Sequence, residues 1–237
     1  MSRNTWIALC AGAFVMAGGL GVGVAWQKRS RAAAQKDAAR PQGSANVLLA
    51  QRSRGNPNAA ITVYEFSDFQ CPYCRMFWEK TLPAIERDYI ATGKVRFVFV
   101  NYPVPQLHPN APAAHNFAMC AARQDKFWEA HDLLYRHQAQ WEKLKDPAGY
   151  FKTLGDSMSL EPRALASCLE SRDEAWLVQS DTREGQGAGI TGTPAFIING
   201  GLLPGAQPIE VWRPILDSIG RVAIGEKGGG KREEDKP

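Results

Sequence analysis

An apolar, β-branched run from Ile61 to Phe66 gives way to a few polar residues and then to Cys71-Pro72-Tyr73-Cys74, where a helical pattern begins through Met76, Phe77 and Trp78. No other stretch narrows the possibilities as far: it is a strand, a turn, and a helix that opens with a thiol. The first amides of a helix lack internal partners and its N-terminus carries roughly half a positive charge, so a thiolate at Cys71 is favoured and its pKa lowered. Pro72 suits the first turn because it has no amide proton to leave unpaired. Cys74, one turn further in, is close enough to close a disulfide with Cys71. Half of a zinc site or an inert local disulfide would show the same spacing. Zinc usually takes a second ligand pair at similar spacing, and none is present, which favours redox chemistry.

The chain has 237 residues, 44% hydrophobic and 10% aromatic, enough for one domain of about 170 residues with a real core. A net charge of +4, with no interleaving of basic and aromatic residues, argues against nucleic acid. Between Thr5 and Gln27 there is no charge, and Trp6 to Trp26 is long enough to span a bilayer at about 20 residues. Residues 1–27 are therefore expected to be either a cleaved signal, with Gly23-Val24-Ala25 as a small-x-small site, or an uncleaved membrane anchor through residues 5–26. The length of the run favours the anchor. Lys28, Arg29 and Arg31 after the segment, against Arg3 before it, lean against an exported C-terminal domain. The cysteine pattern argues for export and carries more weight. Cys10 is a passive apolar residue here, because Leu9 precedes it where a lipoprotein cysteine needs a small neighbour.

Residues 28–55 are expected to be a linker, with Val47-Leu48-Leu49 docking as a short edge strand, and the folded domain to cover 56–222. Within it the pattern predicts a strand over 61–66, a helix from Cys71 to about Thr92 kinked at Pro83 and ended by Gly93, and a strand over 95–100. A strand, helix and strand of this length make a parallel crossover. From about 109 to 187 apolar residues recur at helical spacing, among them Phe117, Cys120, Phe127, Trp128, His131, Leu134, Tyr135, Leu165, Cys168 and Trp176. This is an all-helical insertion whose aromatic residues read as core. Thr193-Pro194 then leads into an apolar strand over 195–198, Asn199-Gly200 signals a hairpin, and a helix runs from Pro208 to about Ile219. Residues 223–237 read as a charged, solvated tail.

This order resembles the DsbA-like thiol:disulfide oxidoreductases of the thioredoxin superfamily over about residues 46–220. Three separated signals carry the resemblance: Glu65 six residues before the first cysteine, Cys-Pro-Tyr-Cys at 71–74, and Gly192-Thr193-Pro194 just before a strand. It implies an α/β thioredoxin-like fold, a central mixed sheet flanked by helices, carrying the helical insertion. It also implies that Cys71 forms a mixed disulfide with substrate and that Cys74 resolves it. Pro194 would be cis against the pair, and the backbone of Thr193 would pair with an extended substrate segment. Glu65 matches an acidic residue behind the active site, where burial would raise its pKa and let it exchange a proton with Cys74. Its alternative is a strand carboxylate reaching solvent. Tyr73 departs from the histidine that strongly oxidising members often carry between the cysteines, which leaves the redox potential open. Cys120 and Cys168 fall on apolar helical positions, as two buried thiols would. In an oxidising compartment, and by the family's habit, a structural disulfide between them is the favoured reading. No metal or cofactor is implied, and His108, His115, His131 and His137 are scattered and given no role.

Three functions follow from these residues. The first is an extracytoplasmic dithiol oxidase for cysteine-containing exported proteins, itself re-oxidised by a membrane redox partner. The second is a reductase or isomerase for a particular client. The third is a Cu(I) carrier using the Cys71 and Cys74 thiolates. No heptad pattern is visible, which points to a monomer.

Overall fold

A computed structural model describes residues 42–172 and 174–228. The chain divides after Ser44, and the fold below is that of the second unit, Ala45–Pro237. The expected signal or anchor over 5–26, with Cys10, and the tail beyond 228 lie outside the described residues. Among the described residues, no helix is long and apolar enough to cross a membrane.

Two strands form the centre, β2 (Ile61–Ser67) and β3 (Val95–Asn101), paired in parallel from Ile61↔Val95 to Ser67↔Asn101. Both are rich in β-branched and aromatic residues and are buried on both faces nearly throughout, as central strands of a covered sheet must be. Around them the order is β1-β3-β2-β4-β5, with β1 (Ser53–Gly55), β4 (Ala195–Ile198) and β5 (Gly201–Pro204) antiparallel to their neighbours. Asn199 and Gly200, at φ +45° and +91°, make the hairpin between β4 and β5.

The crossover from β2 to β3 is not one kinked helix. It is α2 (Pro72–Lys80), a break at Thr81, α3 (Leu82–Ile85) and a π-helical turn, Glu86–Ile90. Pro83 starts the second helix instead of bending the first, because its ring would strike the carbonyl four residues back and it has no amide to donate. Thr81 Oγ1 reaches Gln207 O at 3.1 Å across the break, and Gly93 closes the crossover at φ +75°.

Residues Val47-Leu48-Leu49 are helical, within α1 (Gln42–Gln51), and are not the expected edge strand. Leu48 turns into the core while Val47 faces solvent, a contrast helical spacing permits. The edge strand is β1, with Arg54 opposite Phe97, so the folded domain includes part of the stretch expected to be linker. The insertion holds α4 (Ala111–Ala122), α5 (Phe127–Arg136), α6 (Gln138–Trp141), α7 (Ala148–Ser157), α8 (Pro162–Ser171) and α9 (Ala175–Gly187). A disulfide joins Cys120 on α4 to Cys168 on α8. The last helix, α10 (Ile209–Gly228), runs past Ile219 with Pro214 inside it. Its Trp212 packs edge-on against Phe196 of β4, ring centroids 4.7 Å apart.

Candidate active site

β2 delivers the chain to a turn, Asp68-Phe69-Gln70, that ends at Cys71, the N-cap of α2. Cys71 is extended, at φ −71° and ψ 125°, and Pro72 occupies the first helical position, so the free amides of the helix face the Cys71 sulfur. Cys71 retains 4% exposure and Cys74 none. A hydrogen bond from the Cys74 thiol is the largest influence on Cys71. Thr193 and the amides of Cys74 and Tyr73 add to it against burial, and together they bring the Cys71 pKa from 9.0 to about 6. Burial and its bond to Cys71 push the Cys74 thiol well above its ordinary range.

The Thr193–Pro194 peptide is cis, and Cys71 Sγ lies 3.4 Å from Thr193 O. Two distant segments thus meet at one sulfur. Tyr73, two residues on, is exposed, as is Met76 further along α2. Glu65, on β2, is 1% exposed, and burial raises its pKa to about 8 against smaller opposing effects of Ser67 and Arg54. One carboxylate oxygen of Glu65 has no hydrogen-bond partner among the described residues. A protonated acid tolerates that setting and an ionised one does not.

The sequence did not single out the residues that hold this turn. Asp68, fully buried, accepts from the amides of Gln70 at 2.7 Å and Val104 at 2.8 Å and meets His108 Nδ1 at 2.9 Å. Gln138 donates to Phe69 O at 2.7 Å and Cys71 O at 3.2 Å, and Ser67 Oγ lies 2.9 Å from Tyr135 OH. The only signal was a polar Ser67-Asp68 pair where a buried strand should have continued. His115 and His131 are buried, with burial lowering the pKa of both, that of His115 to about 4, so they are neutral core residues. Among the described residues no group of three or more His, Cys, Asp or Glu side chains is placed to hold a metal ion.

The model of the family described as Thioredoxin matches residues 49–218. Probable disulfide bond formation protein D of Bacillus anthracis is 30% identical over 156 residues, covering 64% of this chain and 71% of that protein. The Na(+)/H(+) antiporter NhaA 3 of Salinispora tropica is 31% identical over 183 residues, 77% of this chain but 26% of the antiporter. The chain thus spans about a quarter of the first curated relatives it matches. Among solved structures, oxidised BdbD from Bacillus subtilis superposes with a TM-score of 0.66 at 25% identity, covering 72% of this chain and 93% of BdbD. The α-DsbA1 of Wolbachia pipientis shares the fold, with a TM-score of 0.67 at 20% identity over 74% of this chain and 94% of its own. The chain belongs to the thioredoxin superfamily and, within it, to the DsbA-like thiol:disulfide oxidoreductases.

Proposed function

We propose that this chain is an extracytoplasmic dithiol oxidase that donates the Cys71–Cys74 disulfide to cysteine-containing exported proteins. The observation that carries this reading is the inequality of the two sulfurs, one held toward the thiolate at the mouth of α2 and the other buried as a thiol. A substrate thiolate attacks Cys71 Sγ, the S–S bond breaks, and Cys74 leaves with the electron pair. Glu65, protonated at neutral pH, supplies the proton that the departing sulfur needs. A second substrate thiolate then attacks the mixed disulfide and expels Cys71. The client leaves with a new disulfide, and the chain keeps both electrons.

Stabilising Cys71 as a thiolate makes it the better leaving group and favours the reduced form, which is what an oxidant requires. In this reading the substrate lies extended along the Thr193 backbone beside Pro194. A membrane redox partner re-oxidises the pair, the segment over 5–26 exports or anchors the domain, Cys120–Cys168 stays closed through the cycle, and the chain acts as a monomer. A glutathione redox titration of the full chain with thiol trapping tests this reading. The oxidase reading expects Cys71 and Cys74 to cycle together nearer roughly −120 mV than −270 mV. A potential at the lower value would make the chain a reductant.

A further inference from the structure

Asp68 is bonded to both sulfurs' positions and to a histidine at once. Its carbonyl accepts the Cys71 amide at 3.0 Å, and its amide points at Cys74 Sγ at 3.5 Å. Its buried carboxylate holds the Val104 amide and His108 Nδ1, so one side chain separates His108 from the dithiol turn. His108 is 16% exposed at its side chain, on the loop that leads to Asn110 and α4. Thiol exchange and Glu65 leave it without a part.

The charged and titratable groups facing this imidazole are Asp68, Cys71 and Glu142. All three favour the imidazolium, Asp68 most, and burial opposes them. Only one of the three changes charge during turnover. Cys71 is a thiolate when the pair is reduced and uncharged when it is in a disulfide. The imidazole therefore gains a negative neighbour on reduction and loses it on oxidation.

We propose that His108 is a positioning residue of the redox couple: held by Asp68, its imidazole takes up a proton when the Cys71–Cys74 disulfide is reduced and releases it when the disulfide re-forms. The proposal rests on the dithiol reading above. A client dithiol gives up two electrons and two protons and becomes a disulfide while the Cys71–Cys74 bond breaks. Cys74 holds a proton passed on by Glu65, Glu65 regains one of the client's two protons, Cys71 remains a thiolate, and the client's other proton goes to His108. Because linkage is reciprocal, the redox state that favours the proton on His108 is favoured by that proton. The loop thus brings to the dithiol the cation that Tyr73 does not supply.

Two measurements on the full chain test the proposal. The first follows the His108 ring by NMR through a pH titration in the disulfide and dithiol states. The proposal expects the ring to titrate at higher pH in the dithiol state. The second follows the redox equilibrium constant against glutathione over the same pH range in the wild type and in His108→Gln. Between the two ring midpoints the wild type should show up to one extra proton, a dependence steeper by up to tenfold per pH unit, which His108→Gln lacks. Identical ring titrations in the two states, or superimposable pH curves for the two proteins, would overturn the proposal. If His108→Gln does not fold, the wild-type ring titration decides alone. Cycling without any His108 shift removes this inference and leaves the oxidoreductase reading standing, whereas failure of Cys71 and Cys74 to cycle removes both.

Discussion

Cys71 and Cys74 start as equal thiols and are driven apart by where the backbone puts them. With Cys71 at about 6 and Cys74 well above its ordinary range, alkylation of the reduced protein at neutral pH should fall on Cys71 alone. Its rate should rise with a midpoint near pH 6, and mass mapping of the labelled peptide checks both. Cys71→Ser should abolish client oxidation, and loss of less than about a hundredfold in rate would contradict the assignment of Cys71 as the sulfur that the client attacks. Glu65 gives a separate stability prediction. Its folded pKa of about 8 lies above the unfolded value, so the folded state holds the proton more tightly. The contribution is complete below about pH 4.5 and is lost as pH rises through 8. Denaturant unfolding of wild type and Glu65→Gln in the same redox state, so that Cys71 cancels, should show the wild type losing stability relative to the variant across that window. The full span is on the order of 5 kcal/mol.

At the scale of the element, α2 works because it begins where the sulfur is, and its exposed second residue can be changed without disturbing the core. Tyr73→His places a cation beside the Cys71 thiolate on a side chain that already faces solvent. It should make the Cys71 thiol more acidic and raise the potential, by about 30 mV for every tenfold gain in acidity, as thiolate titration and glutathione equilibrium would show together. This element was legible beforehand because its signals are local: the apolar run of β2, the bracketed Pro72, and the helical spacing of Phe77 behind Cys74. The strand from Val95 and the Asn199-Gly200 hairpin were legible for the same reason. The break at Thr81 was harder to see, since Pro83 marks a discontinuity but not whether the chain bends or restarts. The linker hid α1 and β1, because a single buried Leu48 and a three-residue strand make no period. The contact between Asp68 and His108 spans 40 residues and the one between Ser67 and Tyr135 spans 68, so no spacing rule reaches either.

Over the whole molecule, the helical insertion is the rear wall of the redox site. Phe69, in the active-site turn, stacks on Phe99 of β3 at 4.9 Å and meets Tyr135 of α5 at 5.2 Å. Gln138 of α6 holds the carbonyls of Phe69 and Cys71. The insertion must therefore keep its shape for the dithiol turn to keep its own, and Cys120–Cys168 ties together two of its helices, α4 and α8. Closing a separation of 48 residues restricts the unfolded chain by about 4 kcal/mol on the chain-entropy model. For a domain of this size that corresponds to a fall in Tm of roughly 8–16 °C when the bond is removed. The Cys120→Ser/Cys168→Ser double variant should show that fall in non-reducing buffer while Cys71 and Cys74 still cycle against glutathione at low temperature. Strong reductant opens Cys71–Cys74 in both proteins and so shifts both alike, but it should also bring the wild type down toward the variant, because only the wild type has Cys120–Cys168 to lose. An unchanged Tm in the variant would mean that packing of α4 on α8, and not the bond, holds the wall in place.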